Sequence, residues 1–212
     1  MTLELILGPM FCGKTEELIR RINREIVVDK IVIAFKHSVD IRFSPEYIVS
    51  HSRGRIKATS VKNASQIYKH LKNKNAKVIG IDEIQFFDEK IIDFCIDYAN
   101  NPNVKVIASG LNLDFKREPF KFNGSTKHIG EIMPYASITN LRAKCTYFLE
   151  HDQKCNMEAD YSQRLVNGKP AHYDDQLIVV GAKESYAARC LKHHFIPGKD
   201  DLHTHYWKNY HK

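Results

Sequence analysis

Along the first half of the chain, short apolar or β-branched runs alternate with stretches in which apolar residues recur every three or four positions. The runs Leu3 to Leu7, Lys30 to Phe35, Lys77 to Ile81 and Val104 to Ser109 are each followed by polar or glycine-containing sequence. Continuous apolar runs of this length predict parallel strands buried on both faces. Between them, Leu18, Ile19, Ile22 and Ile26 give Thr15 to Val28 a helical apolar stripe, and Ile91, Ile92, Cys95 and Ile96 do the same for Asp88 to Ala99. Strand–helix alternation predicts a three-layer α/β domain over residues 1–140 built on a parallel sheet.

After Phe120 the pattern changes. A helical patch spans Ile129 to Ala136, a strand-like run spans Ile138 to Cys145, and a polar stretch carrying more cysteines follows. Arg164 to Asp175, with Asn167-Gly168 and Pro170, reads as a turn-bearing loop, and Leu177 to Val180 as a strand leaving it. These features predict a second, smaller domain over 141–196. The last stretch, 197–212, is rich in histidine and charge and predicts a partly disordered C-terminal tail.

The first strand runs directly into Gly8-Pro9-Met10-Phe11-Cys12-Gly13-Lys14-Thr15. Gly-x4-Gly-Lys-Thr between a strand and a helix is a P-loop. Its backbone N–H groups surround a phosphate, the lysine neutralises charge and the hydroxyl serves Mg2+. Such a site also needs a carboxylate at a neighbouring strand end, and Val78-Ile79-Gly80-Ile81-Asp82-Glu83 supplies it. Adjacent residues of a strand point to opposite sides, so Asp82 can serve the metal while Glu83 accepts a proton. Two solvated carboxylates closing a strand are the bland alternative.

Composition narrows the reading. In 212 residues with 43% apolar content there is material for a sizeable core. A net charge of +7 admits nucleic acid, a membrane surface or an anionic small substrate. No stretch approaches the roughly 20 apolar residues of a membrane helix. Neither is there a secretory signal pattern, so a cytoplasmic protein is expected. Of the five cysteines, Cys145, Cys155 and Cys190 fall in the C-terminal third, which in a reducing compartment favours metal over disulfide.

Taken together, the P-loop, Asp82-Glu83-Ile84-Gln85-Phe86-Phe87 and Gly110-Leu111-Asn112-Leu113-Asp114-Phe115-Lys116-Arg117-Glu118-Pro119-Phe120 resemble the type II thymidine kinases. Arg164 to Pro170 and Val180 to Tyr186 are similar to that family's lasso loop and the segment closing over the nucleoside. The resemblance implies a RecA-like P-loop domain with a small zinc-binding lasso domain. The implied activity is transfer of the γ-phosphate of ATP to the 5′-hydroxyl of thymidine or deoxyuridine, with Mg2+. It further implies a homotetramer, feedback by thymidine triphosphate, and neither nucleic acid nor a membrane as partner. By motif, Gly8 to Thr15 would hold phosphate, Thr15 and Asp82 would serve Mg2+, and Glu83 would be the base. Asp40 and Arg42 would sit near the phosphates, although by themselves they also read as an exposed ion pair. The nucleoside would meet Met10, Phe86, Leu111, Phe115, Phe120, Ser162, Leu177, Val179, Gly181 and Tyr186, a mix of aromatic walls, apolar contacts and backbone that suits a thymine. The aromatics alone would equally serve as ordinary core. The family's usual Gly-Leu-Asp becomes Gly-Leu-Asn at Asn112, which removes a charge.

Zinc is where the sequence departs furthest from the resemblance. The family presents two cysteine-containing pairs. The second survives as Cys190-Leu191-Lys192-His193, but Cys145 has Phe148 where its partner is expected. Counting back from Ser162 places Cys155 in the missing role, giving Cys-x9-Cys through a seven-residue insertion. Cys145, Cys155, Cys190 and His193 then meet the four-ligand demand of structural zinc. Substitution by His151 or His194, or three buried cysteines without metal, remain open. Two other readings compete with the kinase: a P-loop ATPase with a zinc ribbon that binds nucleic acid, and a nonenzymatic zinc module. The second leaves Asp82-Glu83 unexplained.

Overall fold

The run Leu3–Leu7 forms a strand (β1) that is paired on both edges and buries Leu3, Leu5, Ile6 and Leu7, with Glu4 half-buried. In the computed structural model, which describes residues 2–40, 45–149, 153–177 and 185–200, β1 is one of six parallel strands. The others are β2 (Val32–His37), β5 (Thr59–Val61), β6 (Val78–Asp82), β7 (Lys105–Gly110) and β8 (Ser137–Asn140), in the order β5-β2-β6-β7-β1-β8. A two-stranded antiparallel ribbon, β3 (Tyr47–Val49) with β4 (Arg55–Lys57), precedes β5.

Alternation along the strands feeds two apolar layers, as the two-residue side-chain period requires. Leu3, Leu5 and Leu7 of β1, Ile79 and Ile81 of β6 and Val106 and Ala108 of β7 pack with residues of α2 (Ala64–Leu71) and α3 (Lys90–Ala99), among them Ile67, Leu71, Ile91 and Phe94. The interleaved Ile6, Ala34, Val78 and Ile107 pack with Leu18, Ile19 and Ile22 of α1 (Lys14–Ile26). Helix α1 lies close to β6: a Cβ on Gly80 would stand 2.5 Å from Ile22 Cδ1, so only glycine fits without moving that side chain. The three-layer α/β reading therefore holds, and the strands lie close to the predicted runs.

Several elements differ from the pattern reading. The predicted run Ile138 to Cys145 is broken into β8 and a separate β9 (Ala143–Lys144), which pairs with β10 (Glu158–Ala159). Ile129 to Ala136 forms two 3-10 turns, Ile129–Glu131 and Met133–Tyr135, with Pro134 opening the second. Much of the predicted loop from Arg164 is strand: β11 (Tyr161–Val166) turns at Asn167-Gly168, both at positive φ, into β12 (Lys169–Pro170). Beta 11 also pairs with β13 (Ser185–Arg189). Of the predicted strand Leu177 to Val180 only Leu177 is described, and it lies in a bend.

The chain divides into two compact units. The first comprises Met1–Leu7, Gly13–Asn112 and Pro119–Leu141; the second comprises Gly8–Cys12, Leu113–Glu118 and the chain from Arg142 onward. The second has its own small core of Ala143, Cys145, Ala159, Ala188 and Cys190, with Cys12 and Cys155 packed against it. Near the start of the predicted tail, the Tyr173 N–H donates to Pro197 O at 2.8 Å and Lys199 Nζ to Lys116 O at 2.5 Å. Residues 201–212 lie outside the described residues.

Candidate functional site

The phosphate loop owes its shape to backbone angles that few residues tolerate. Gly8 (φ 152°) and Gly13 (φ 84°) occupy positive φ, as does Phe11 (φ 66°), which lacks glycine's freedom. Lys14 and Thr15 open α1, whose first turn presents its N–H groups and the positive end of the helix dipole to an anion. Pro9, Met10 and Cys12 complete the stretch between Gly8 and Gly13.

In the first unit the strand ends bring the carboxylates to this helix. Thr15 Oγ1 donates to Asp82 Oδ2 at 3.4 Å. The other Asp82 oxygen accepts from Ser109 Oγ at 2.5 Å and from the Glu83 N–H at 3.1 Å. Asp82 is thus held rigidly, with Oδ2 toward Thr15, an arrangement that could hold a divalent cation between hydroxyl and carboxylate. Glu83 sits in the left-handed region at φ 52°, an uncommon conformation for a side-chain-bearing residue and one that concentrates at functional sites. Its Oε2 accepts from Gln85 Nε2 at 2.7 Å. Asp40 is buried and lies 3.3 Å from the ammonium of Lys36, itself 1% exposed. Arg42 lies outside the described residues.

The residues expected around a nucleoside fall into two groups. In the first unit Phe86 meets Phe120 edge-on, 6.2 Å between centroids, and the Leu111 N–H donates to Gln85 Oε1 at 3.0 Å. Asn112 keeps a buried Oδ1 with no hydrogen-bond partner, while its backbone carbonyl accepts from the Phe120 N–H at 3.1 Å. In the second unit the Met10 N–H donates to Ser162 Oγ at 2.9 Å. Phe115 is buried beneath the Arg164 guanidinium, 5.3 Å from its ring centre, and that guanidinium donates to the Gln176 carbonyl. Burial raises the Asp114 carboxyl above its ordinary value, offset in part by N–H bonds from Glu118 and Lys116. Tyr186 pairs with Arg164 across β13 and β11, and Leu177 is half-buried. Val179 and Gly181 lie outside the described residues.

The second unit also assembles a metal-binding constellation. Ligand atoms of Cys145, Cys155, Cys190 and His193 all lie within 4.8 Å of one another. Tetrahedral zinc would set sulfurs about 3.8 Å apart and sulfur from nitrogen about 3.6 Å apart. Here Cys155 Sγ to Cys190 Sγ is 3.9 Å, and His193 Nδ1 lies 3.7 Å from Cys145 Sγ and 3.4 Å from Cys190 Sγ. The donor set and spacing therefore fit zinc. Burial foremost, with Cys145 and Cys155 adding to it, pushes the Cys190 thiol up to about 11, a penalty on thiolates that a divalent cation would relieve. Between Cys145 and Cys155, the Cys155 N–H reaches Tyr147 O at 2.8 Å and the Leu149 N–H reaches Gln153 O at 2.7 Å. The Asn156 N–H reaches Cys145 O at 3.0 Å, which sets Cys155 beside Cys145. Tyr147 stacks on the His193 ring at 4.3 Å. His194 instead tilts against Tyr161 at 5.2 Å, and His151 lies outside the described residues.

Three residues that the sequence reading left without a role stand next to the carboxylates: Lys36, Gln85 and Ser109. Lys36 is the Cα partner of Asp82 in the β2–β6 pair, and Ser109 lies near the end of β7, beside β6. A lysine directly after the apolar stretch Val32 to Phe35 is the signal for the first. The other two depend on register, which the sequence does not state.

Among the described residues no helix is long and apolar enough to cross a membrane. The family model described as thymidine kinase matches residues 1–194. With nearly the whole chain inside that match, the chain belongs to the thymidine kinase family, phosphotransferases that phosphorylate thymidine.

Proposed function

We propose that the protein is an ATP:thymidine 5′-phosphotransferase that forms thymidine monophosphate in deoxynucleoside salvage, with deoxyuridine as a second substrate. The observation that carries this reading is the Thr15 hydroxyl held 3.4 Å from Asp82 at the head of α1, with Glu83 the next residue along. Lys14 and the loop from Gly8 to Gly13 bind the phosphates, Asp40 and Arg42 act on them, and Thr15 with Asp82 holds Mg2+. When bound, that ion neutralises charge on the transferred phosphoryl group. Glu83 takes the proton of the 5′-hydroxyl as its oxygen attacks the γ-phosphorus and the bond to the β-phosphate oxygen breaks. Asp82 orients Thr15, and Ser109 keeps Asp82 in place.

Met10, Phe86, Leu111, Phe115, Phe120, Ser162, Leu177, Val179, Gly181 and Tyr186 hold the nucleoside. Residues 1–140 form the kinase domain, 141–196 the lasso domain with its structural zinc, and 197–212 a tail. The protein works as a cytoplasmic homotetramer under feedback by thymidine triphosphate. The test is product analysis of the purified protein with ATP, Mg2+ and, in turn, thymidine, deoxyuridine and single-stranded DNA. Nucleoside monophosphate is expected from both nucleosides, and Lys14→Ala should lose most of it. ATP hydrolysis stimulated by the DNA, with no monophosphate formed, would instead favour a nucleic-acid-dependent ATPase.

A further inference from the structure

Gln85 is a buried amide whose two ends are both committed. Its side chain is 1% exposed, its Nε2 donates to Glu83 Oε2 at 2.7 Å, and its Oε1 accepts from the Leu111 N–H at 3.0 Å. An amide has one donor end and one acceptor end, so the two bonds specify its orientation: a flip would set N–H against N–H and oxygen against carboxylate. The packing agrees. A Cβ on Gly110 would stand 2.5 Å from Gln85 Oε1 and 2.7 Å from Ile84 Cγ2, so the amide is wedged against the end of β7. On the other side, Glu83 stands in the left-handed region at φ 52°, from which its side chain leaves the backbone in an uncommon direction.

We propose that Gln85 is a positioning residue for phosphoryl transfer: its amide sets the carboxylate of Glu83 relative to the backbone of Leu111, so that base and nucleoside loop are held in register. The inference rests on the reading of Glu83 as the base and of Leu111 as a nucleoside contact. Its physical basis is that a hydrogen bond from a buried amide to a half-buried carboxylate fixes direction as well as distance, and a displacement of about 1 Å at a reacting group can cost on the order of 100-fold in rate. The two bonds serve two functions, and they can be separated.

In Gln85→Glu an acceptor for Leu111 is retained while the neutral N–H donor to Glu83 gives way to a second carboxyl, which repels Glu83 or shares a proton with it; in Gln85→Met, of similar length, both bonds are lost. Steady-state kinetics on the full-length protein, with melting temperature and ATP affinity measured alongside, read the two bonds apart. Gln85→Glu should lower kcat by about 10- to 100-fold with the thymidine KM unchanged. Gln85→Met should lower kcat similarly and raise the thymidine KM as well. Placed in a Glu83→Gln background, neither substitution should lower kcat further, because the group through which Gln85 acts is already disabled. Wild-type kcat in Gln85→Met, or a kcat loss that persists in full in the Glu83→Gln background, would overturn the inference. Wild-type turnover in Glu83→Gln alone would overturn the assignment of the base instead. Should Gln85→Glu fail to fold, Gln85→Met and its double variant still decide between these outcomes.

Discussion

The backbone N–H of Met10, in the phosphate loop, donates to the hydroxyl of Ser162, 152 positions further along the chain, at 2.9 Å. Ser162 lies on β11 opposite Ala188 of β13, and β13 leads into Cys190. Gly8–Cys12 accordingly groups with the cysteine-bearing unit, and Cys12 packs against its core. The first half of the phosphate loop is shaped by residues from the far end of the sequence.

Ser162→Ala leaves the half-buried Met10 N–H without that acceptor, and loss of such a hydrogen bond costs about 0.5–1.5 kcal/mol. The thymidine KM should rise, and Ser162→Thr, which keeps the hydroxyl, should restore most of it. Steady-state kinetics and urea unfolding of the two variants check this. Equal behaviour of Ala and Thr would show that the bond contributes nothing.

Purified protein should contain about one zinc per chain, as a four-ligand structural site requires. Cys155→Ser should release it, while Cys95→Ser, buried in the apolar core of the first unit, should keep it. Because Cys12 packs beside Cys145 and Cys190, metal loss should also raise amide exchange at Phe11 and Cys12. Metal analysis with hydrogen exchange tests both. Full zinc in Cys155→Ser would remove Cys155 from the ligand set.

Lys36 and Asp40 form an ion pair in which both groups are nearly excluded from water. Removing one partner of such a pair costs about 3–5 kcal/mol, because the charge left behind was already desolvated. Lys36→Met should therefore destabilise the fold by that order, and Lys36→Met with Asp40→Asn should recover a large part of the loss. Urea midpoints of the single and double variants are the measurement; a double variant no more stable than Lys36→Met would refute the pairing.

Glu17 accepts from Arg20 at 2.6 Å and from Arg21 at 2.7 Å, and the Arg20 bond above all holds its carboxyl down at about 2, against an ordinary 4.5. A carboxyl depressed in the folded state binds fewer protons there than in the unfolded chain. Its contribution is present above pH 4.5 and is lost as pH falls toward 2. Glu17→Gln should lower stability at neutral pH and flatten the loss across that acid window. Thermal melts of both proteins between neutral pH and pH 2 give the comparison.

Strands that are apolar throughout and helices with one apolar face could be read directly, because burial on both faces or on one imposes a period on the sequence. Helix α2 was missed although its start carries a signal: Asn63 Oδ1 accepts from the Gln66 N–H at 3.0 Å, and Gln66 Oε1 accepts from the Lys62 N–H at 2.7 Å, a reciprocal cap close to Asn-x-x-Gln. The helix is only eight residues long, too short for its period to stand out. Strands β3, β4 and β5 are three residues each and carry even less pattern.

By itself the sequence determined what depends on neighbours along the chain: the glycine-punctuated loop between a strand and a helix, the carboxylates closing β6, and the alternation that makes the sheet parallel. Only the tertiary structure decided what depends on residues far apart in sequence. It brought the ligand atoms of Cys145, Cys155, Cys190 and His193 within 4.8 Å of one another, set Ser109 against Asp82, seated Gln85 between Glu83 and Leu111, and bound Met10 to Ser162. The physical reason is that backbone conformation and side-chain period are local properties, whereas a hydrogen bond or a metal cluster exists only when sheet register and packing bring its distant partners within about 3–4 Å.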